Sequence, residues 1–389
     1  MAPRVSGSYG VTPAGVSQTD IAVVGGGVIG AACARAAALR GLRVTLFAPG
    51  PDPAAASAAS AGLLAAQIES GDERLLPLAV RGRDLYQDLA ASLKDTTGTD
   101  IGFQPVGIAT FAFDETQAEA LFELVAEQRQ AGLRCDWLER ADLDERWPGV
   151  APEARGALYA PEDGCLDPAA LTAALLADAR RLGVQVSAEP VKRVLTSQGR
   201  AMGVATAANS IPAQQIVIAA GAWSSLLEGL PRRLAVEPVR GQLLAIDWPA
   251  GFPVAVFYHG HGYLLPRGTA AILGSTMERV GFDGRTTEAG LVEIRQATAR
   301  LCPAIAQSVV RSSWAGLRPV TPDGLPILGR DPEISGLWYA TGHGRNGILL
   351  AGITGEIIAD LLATGETDID ISELTIERFT QDQPTADGR

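Results

Sequence analysis

The chain has little cysteine, histidine or lysine for its length of 389 residues. Its four cysteines are widely separated and form no CxxC pair, and it has only three histidines. A disulfide framework needs densely spaced cysteines, and a zinc site needs closely spaced cysteine or histidine ligands. The composition therefore excludes a fold held together by disulfides, and we expect no bound metal.

Positive charge is also scarce, since the formal net charge is -12 at pH 7. Nucleic acids and anionic membrane surfaces both attract basic patches, so neither is expected as a partner. No apolar run is long enough to span a membrane, and residues 1–20 lack the apolar segment of a signal peptide. We expect a soluble, cytoplasmic protein that begins with a flexible tail over residues 1–17.

The strongest local signal is a glycine-rich segment near the N-terminus. Gly25, Gly27 and Gly30 fit the pattern GxGxxG, and they stand between a short apolar segment and an alanine-rich one. In a dinucleotide-binding turn the first glycine permits a sharp bend, the second lets the backbone approach a pyrophosphate, and the third lets helix and strand pack closely. The predicted elements are a strand over 20–24, a helix over 31–40 and a strand over 43–47. This βαβ context predicts a dinucleotide site at the start of the helix.

One usual feature of such a site is missing. The second strand of the unit normally ends in an acidic residue that binds the adenosine ribose. Here Ala48 occupies that place, and Asp52 follows in the loop. We expect either Asp52 or backbone and water to bind the ribose, and no arginine stands where a 2′-phosphate would need one.

The rest of the chain alternates between helical and strand-like patterns. Helices are predicted over 74–93, 114–131, 168–182 (with Asp167 as the N-cap) and 347–363, and strands over 103–113, 184–186, 191–195, 215–219, 242–246, 262–266, 271–274 and 337–341. Three of these strands, from 242 to 274, suggest an antiparallel sheet. The small residues of 54–62 suggest a tightly packed loop near a cofactor.

Four segments resemble the D-amino-acid oxidase family of FAD enzymes. They are Trp-Ala-Gly-Leu-Arg-Pro at 314–319, the segment 321–329, Gly-His-Gly-Arg-Asn-Gly-Ile at 342–348, and 217–224. Within the family the chain resembles the glycine oxidase branch, which is linked to thiazole biosynthesis for thiamine. The segments that carry this finer resemblance are 258–263, 266–267 and 274–277. Together with the glycine fingerprint, the resemblance covers about residues 19–375.

The resemblance implies an α/β fold. A Rossmann-type FAD-binding domain would be accompanied by a substrate domain built on a mixed, largely antiparallel sheet. The FAD domain is expected over 18–100, 155–235 and 315–375, the substrate domain over 101–154 and 236–314, and a C-terminal tail over 376–389.

The implied reaction is oxidative deamination of glycine. Hydride would pass from Cα to flavin N5, with dioxygen as acceptor, to give glyoxylate, ammonia and hydrogen peroxide. No general base is evident, and none is needed if the amine arrives neutral, which predicts activity that rises from pH 7 to pH 9. The resemblance also implies a homotetramer. FAD is expected to be non-covalent, because the sarcosine oxidase family links it to a cysteine near the position of Gly316, whereas the nearest cysteine here is Cys302.

The resemblance assigns roles to individual residues. Arg318 would bind the substrate carboxylate, because a guanidinium forms two parallel hydrogen bonds with a carboxylate. Tyr263 would bind the same carboxylate or close the pocket, Tyr258 and His261 would form its wall, Met277 would lie beside the flavin ring, and Arg345 would line the pocket mouth. Each has a structural alternative: loop binding for Arg318, packing for Tyr263 and Met277, and surface exposure for Arg345. The residues predicted to bind FAD are Gly25, Gly27, Val28, Ile29, Gly30, Gly62, Leu63, Leu64, Val191, Ala220, Gly221, Trp223, Gly344, Arg345, Asn346, Gly347 and Ile348, with 344–348 opening the last helix.

Three other functions remain open. The substrate could be sarcosine, D-proline or a small D-amino acid, which differ from glycine by a few atoms. The chain could be a D-amino-acid dehydrogenase that passes electrons to a quinone, although its acidic charge gives no help in binding a membrane. It could also be a flavin-binding protein without catalysis, but Arg318 and Tyr263 would then have no reason to be present.

Overall fold

A computed structural model describes residues 19–50, 52, 54–69, 72–260 and 262–379. The predicted tail over 1–17 and the predicted site residue His261 lie outside the described residues, as does 380–389 of the predicted C-terminal tail. The first residues assigned to that tail, Ile376–Phe379, form a short 3-10 helix with Ile376 buried.

The described residues form strands and helices that we number in chain order. The strands are β1 Thr19–Val24, β2 Val44–Phe47, β3 Leu63–Leu64, β4 Ile108–Ala112, β5 Asp136–Glu139, β6 Gly156–Ala160, β7 Gly164–Cys165, β8 Gln185–Ser187, β9 Arg193–Ser197, β10 Arg200–Ala205, β11 Ser210–Ile218, β12 Glu237–Asp247, β13 Val256–His259, β14 Gly262–Arg267, β15 Ala270–Gly274, β16 Val310–Val320, β17 Ile327–Arg330 and β18 Leu337–Thr341. The helices are α1 Val28–Leu39, α2 Ala56–Ala59, α3 Leu76–Asp84, α4 Tyr86–Thr97, α5 Glu115–Gln130, α6 Arg140–Arg146, α7 Pro168–Arg181, α8 Glu288–Ala299 and α9 Ala351–Thr364.

The first sheet contains the predicted βαβ unit. Its strands run in the order β17-β18-β11-β1-β2-β8, and β9 and β10 extend it from β11. The pairs β1–β2, β1–β11, β11–β18 and β2–β8 are parallel, as expected for strands joined by crossover helices. The alanine-rich α1 packs closely against α9, where a Cβ on Gly355 would lie 2.8 Å from the carbonyl oxygen of Ala32.

The second sheet is mixed and largely antiparallel, as predicted. Its order is β16-β12-β15-β14-β13-β4-β6-β5, and the pair β13–β4 is parallel. The predicted fold class, a Rossmann-type α/β fold with a second mixed sheet, is therefore confirmed. The predicted domain boundary at 155 falls just before β6, which belongs to this second sheet because it pairs with β4 and β5.

Two predicted helices have different bounds in the structure. The segment 74–93 forms two helices, α3 and α4, which meet at Leu85. The last helix was expected to open at 344–348, but that prediction is wrong: α9 begins at Ala351, and 347–350 form a turn. Gly347 has a low helix propensity, which favours a turn before the helix.

A small-residue loop over 54–62, which includes the short helix α2, packs against β16 of the second sheet. The N–H of Leu317 in β16 donates to the carbonyl oxygen of Ala54 at 2.9 Å, and the indole N–H of Trp314 donates to that of Ala59 at 2.9 Å. A Cβ on Gly316 would lie 2.4 Å from the Cβ of Ala59. The loop can lie flat on β16 because its side chains, and that of Gly316, are small. Across the described residues, no helix is both long and apolar enough to cross a membrane.

Candidate active site

A cavity of about 850 Å³ is lined by residues of both sheets. Its walls include the glycine-rich loop before α1, the small-residue loop over 54–62, and strands β12, β14 and β16. A volume of this size is typical of a site for a small molecule or cofactor. The chemistry of its two ends differs, because one belongs to the first sheet and the other to the second.

The first-sheet end has the geometry of a dinucleotide cradle. Gly25 has φ of +113°, and a Cβ there would lie 2.3 Å from the carbonyl oxygen of Ala219. A Cβ on Gly30 would lie 1.8 Å from the carbonyl oxygen of Gly25, so Gly30 serves the packing of α1 on the turn. Gly27 is the N-cap residue of α1 and supplies no side-chain cap. The N–H of Val28 at this end donates to the Ser57 hydroxyl at 2.9 Å. Gly27, Val28 and Ile29 line the cavity, so the positive end of α1 faces it, which suits a pyrophosphate.

The structure shows where the two residues considered for ribose binding lie. Ala48 and Asp52 both line the cavity, and Asp52 also accepts the N–H of Ala54 at 2.8 Å. Two cations that the sequence patterns did not single out, Arg180 and Lys192, line the same end. They come from α7 and from the segment before β9, so only the folded chain brings them to the cavity.

Arg318 dominates the second-sheet end. Its Nη2 donates to the Ser275 hydroxyl at 2.7 Å, and its Nη1 donates to the Thr276 carbonyl oxygen at 3.1 Å. Among the described residues no carboxylate forms an ion pair with it, and burial lowers its pKa, although a guanidinium stays charged in proteins. Arg318 is therefore a fixed positive charge that faces the cavity without a counter-ion from the described chain.

Two stacked tyrosines stand next to this arginine. The rings of Tyr258 and Tyr263 are 6.3 Å apart between centroids with an angle of 15° between their planes, and the two residues pair across β13 and β14. Tyr263 lines the cavity, and burial raises the pKa of its hydroxyl, which stays protonated near neutral pH. Gly274 gives the ring room, since a Cβ there would lie 2.3 Å from the Tyr263 hydroxyl oxygen.

Arg345 forms an ion pair at the same end of the cavity. Its Nη2 contacts a carboxylate oxygen of Glu69 and donates to the Tyr258 hydroxyl at 2.5 Å. Burial works to lower the pKa of Arg345, but the Glu69 carboxylate and Tyr258 outweigh it, and the pKa is raised. Glu69 lines the cavity with a side chain that is 6% exposed. No sequence motif marks Glu69, which lies in a turn after β3.

His343 also lines the cavity but carries no charge. Its ring is buried, and its Nε2 lies 3.1 Å from the Thr354 hydroxyl in α9. Burial lowers its pKa to about 3. The ring is thus neutral near pH 7.

Most of the predicted site residues lie at the cavity. Those that line it are Gly25, Gly27, Val28, Ile29, Gly62, Leu63, Val191, Ala220, Gly221, Trp223, Tyr263, Arg318, Gly344, Arg345, Gly347 and Ile348. Residues that the predictions missed and that line it include Glu69, Gly241 and Ser275.

The structure does not bring the remaining predicted residues to the cavity wall. Leu64 turns into the core of the first sheet, because neighbouring side chains of a strand point to opposite sides. The backbone of Asn346 closes the turn before α9. Met277 is 43% exposed and is not among the residues that line the cavity. Tyr258 reaches the site through Arg345.

Residues 20–361 match the family described as FAD dependent oxidoreductase. The chain belongs to this family. The match spans the fingerprint, the small-residue loop and all the cavity residues described above. FAD fits the site on structural grounds as well, because the glycine-rich turn and the N-terminus of α1 line the cavity and suit its pyrophosphate.

Individual relatives sharpen the comparison. The chain is 36% identical over 364 residues to the glycine oxidase of Geobacillus kaustophilus, covering 92% of this chain and 97% of that protein. It is 36% identical over 373 residues to a bifunctional ThiO/ThiG protein of Trichormus variabilis, covering 94% of this chain and 56% of that protein. The crystal structure of the Geobacillus kaustophilus glycine oxidase superimposes with a TM-score of 0.87 at 35% identity, over 92% of this chain and 98% of the other.

Proposed function

We propose that the protein is an FAD-dependent oxidase of glycine. In the overall reaction glycine, dioxygen and water give glyoxylate, ammonia and hydrogen peroxide. The observation that carries the proposal is the guanidinium of Arg318, which faces the cavity without an acidic partner from the described chain. The names of the relatives at 36% identity support glycine as the substrate.

Arg318 binds the substrate carboxylate. Its hydrogen bonds to Ser275 and Thr276 fix the plane of the guanidinium, so the remaining N–H groups present a fork to the cavity. Tyr263 donates its hydroxyl hydrogen to the same carboxylate, since its raised pKa keeps it protonated. These contacts hold the substrate in one orientation, which supplies much of the rate enhancement when a reaction needs only alignment.

The cofactor-binding residues are those at the first-sheet end. Gly25, Gly27, Val28 and Ile29 line the cavity and would hold the pyrophosphate, and Val191 would contact the adenine. When bound, FAD accepts the two electrons and the hydrogen of the Cα–H bond and passes the electrons on to dioxygen. FAD is held without a covalent bond, because Gly316 occupies the place of the linking cysteine and the four cysteines are all buried outside the cavity lining.

Among the described residues at the second-sheet end, no general base for the substrate amine is evident. Of the titratable side chains at the second-sheet end, Tyr263 stays protonated and Glu69 is paired with Arg345. The amine must therefore arrive neutral, and a free α-amine loses its proton only at alkaline pH. We expect the rate at subsaturating glycine to rise from pH 7 to pH 9, and a rate that falls over that interval contradicts this mechanism.

Three wider features belong to the proposal. The relatives named ThiO/ThiG support a role in the thiazole branch of thiamine biosynthesis. A homotetramer and a cytoplasmic location are proposed from the resemblance to the glycine oxidase branch. Gel filtration with light scattering tests the assembly state, and cell fractionation tests the location.

The decisive experiment is an absorbance scan of the purified protein, followed by anaerobic addition of glycine. A yellow protein that bleaches with glycine, and recovers its colour with release of peroxide when air is admitted, supports the proposal. A yellow protein that ignores glycine overturns the assignment of glycine, and sarcosine, D-proline and D-alanine are then tested. A protein that stays colourless after incubation with FAD overturns the proposed function.

A further inference from the structure

Among the described residues, the second-sheet end of the cavity holds two guanidinium groups and one carboxylate. Arg318 and Arg345 both line the cavity, and Glu69 pairs with Arg345. The formal charge of this end is therefore +1, from two positive groups and one negative group. A site with that charge is balanced by a substrate that carries a single carboxylate.

The turn that carries Glu69 is anchored by hydrogen bonds to the rest of the fold. It ends a turn in which its N–H donates to the carbonyl oxygen of Ala65 at 2.9 Å. In the middle of this turn the N–H of Gln67 donates to Oδ2 of the buried Asp163 at 3.0 Å, and the Gln67 side chain donates to Oε1 of Gln128 at 2.8 Å. Asp163 lies in the turn between β6 and β7, and Gln128 lies in α5, so the surrounding fold anchors the turn that carries Glu69.

Arg345 makes its described contacts through a single nitrogen. Its Nη2 contacts both Glu69 and the Tyr258 hydroxyl. The Glu69 carboxylate competes with an acidic ligand for Nη2 and offsets the positive charge that would attract that ligand. It also repels an incoming anion, and in a partly buried site both effects are stronger than at the surface.

We propose that Glu69 makes the site selective for amino acids with one carboxylate, by occupying Arg345 and so denying it to a second acidic group of the substrate. This specificity role rests on the proposed function, because it takes Arg318 as the residue that binds the α-carboxylate. Without the charge of Glu69, the end of the cavity carries two free guanidinium groups and favours substrates with two carboxylates. Specificity here comes from an unfavourable contact with the wrong substrate as well as a favourable one with the right one.

The test compares matched substrates in the holoenzyme and in Glu69→Gln. Sarcosine and iminodiacetate are both N-substituted glycines that differ by one carboxylate, and D-alanine and D-aspartate differ in the same way. In Glu69→Gln we expect kcat/KM for each dicarboxylate, divided by that for its partner, to rise about tenfold or more over wild type. An unchanged ratio in a folded, flavin-containing variant overturns the proposal.

Two further variants separate the proposed cause from general damage. Glu115→Gln removes a carboxylate that pairs with Arg155 and does not line the cavity, so it leaves the substrate ratios unchanged. In the double variant Glu69→Gln/Arg345→Met, the freed guanidinium is absent, and the gain seen in Glu69→Gln is lost. A gain that also appears in Glu115→Gln, or that survives in the double variant, overturns the proposal.

Binding measured without turnover keeps this proposal distinct from the proposed function. Calorimetric titration of the holoenzyme with acetate and with malonate gives the affinity for one and for two carboxylates. We expect the ratio of malonate to acetate affinity to rise about tenfold in Glu69→Gln and to fall in Arg345→Gln, which keeps the Glu69 charge. If no amino acid is oxidised but this ratio shifts as stated, the proposed function fails and the selectivity of the site stands. If glycine is oxidised and the ratio does not shift, the selectivity fails alone.

Discussion

The guanidinium of Arg318 lies in the space that a side chain at Gly241 would fill. A Cβ on Gly241 would be 2.0 Å from Nη1 of Arg318, well inside the contact distance of two atoms. Gly241 belongs to β12, which pairs with β16, where Arg318 lies. The proposed carboxylate-binding residue is thus positioned by a glycine on the neighbouring strand.

Replacing Gly241 with alanine tests that relationship. The added methyl group displaces the guanidinium, and a misplacement of about 1 Å in such a site costs roughly 100-fold in rate. We expect kcat/KM for glycine to fall by about that factor while the flavin stays bound. Gly352→Ala in α9 is the control, because a Cβ there makes an ordinary contact of 3.5 Å with Leu89. Equal activity in the two variants contradicts the packing argument.

The chemistry of Arg318 is tested by Arg318→Lys. Lysine keeps the positive charge but cannot form two parallel hydrogen bonds with a carboxylate. We expect KM for glycine to rise roughly 10–100-fold, with a smaller effect on kcat. Arg311→Lys is the matched control, since Arg311 lies on the same strand with its side chain 55% exposed. Steady-state peroxide assays measure both, and an unchanged KM in Arg318→Lys argues against carboxylate binding there.

The cofactor cradle is tested by Gly27→Val. Gly27 has extended backbone angles that valine tolerates, but a Cβ would lie 2.9 Å from the Ser57 hydroxyl beside the start of α1. The larger side chain fills space needed by the pyrophosphate, so we expect little bound flavin in a protein that is still folded. Flavin absorbance per protein and far-UV circular dichroism measure the two properties. Full flavin content in this variant would show that the cofactor does not approach Gly27.

His343 predicts a specific dependence of stability on pH. Its pKa is lowered to about 3 in the folded protein, so between that value and 6.5 the unfolded chain binds a proton that the folded chain does not. The free energy of unfolding therefore falls as pH falls below 6.5, by about 2 kcal/mol from pH 7 to pH 5 for this group alone. In His343→Gln that contribution is absent. Urea unfolding of both proteins at pH 7 and pH 5, with FAD at fixed excess, measures the difference, and equal losses in the two would refute the assignment.

Local patterns predicted most of the first sheet. The fingerprint, the strand before it and the helix after it are neighbours in sequence, and α7 begins at Pro168 with Asp167 as its cap, as its residues indicated. In the second sheet, β4, β12, β14 and β15 were predicted, whereas β5, β6, β13 and β16 were not. The pairing of β6 with β4 depends on contacts far apart in the chain, which no local pattern reveals.

The site residues also divide into those that a local motif marks and those that only the fold brings together. Arg318 and Tyr263 stand in recognisable motifs, and both face the cavity. Glu69 stands in no motif, and its importance appears only where the fold brings it to Arg345. Met277, predicted to lie beside the flavin ring, is exposed and outside the cavity lining, whereas Ser275 two residues earlier lines it, and the motif alone does not distinguish the two positions.

The small residues over 54–62 determine how closely this segment packs against β16. It lies against β16, and the methyl group of Ala59 faces Gly316. A Cβ on Gly316 would lie 2.4 Å from the Cβ of Ala59, so the space between the two backbones holds only the Ala59 methyl group. The same residues form a wall of the cavity. The width of the cavity, and so the size of the substrate that fits, therefore depends on how closely this segment packs against β16. The low-complexity run of alanine and serine is therefore a spacer between α2 and β16. Bulkier residues there would change the width of the cavity without contacting a reacting group.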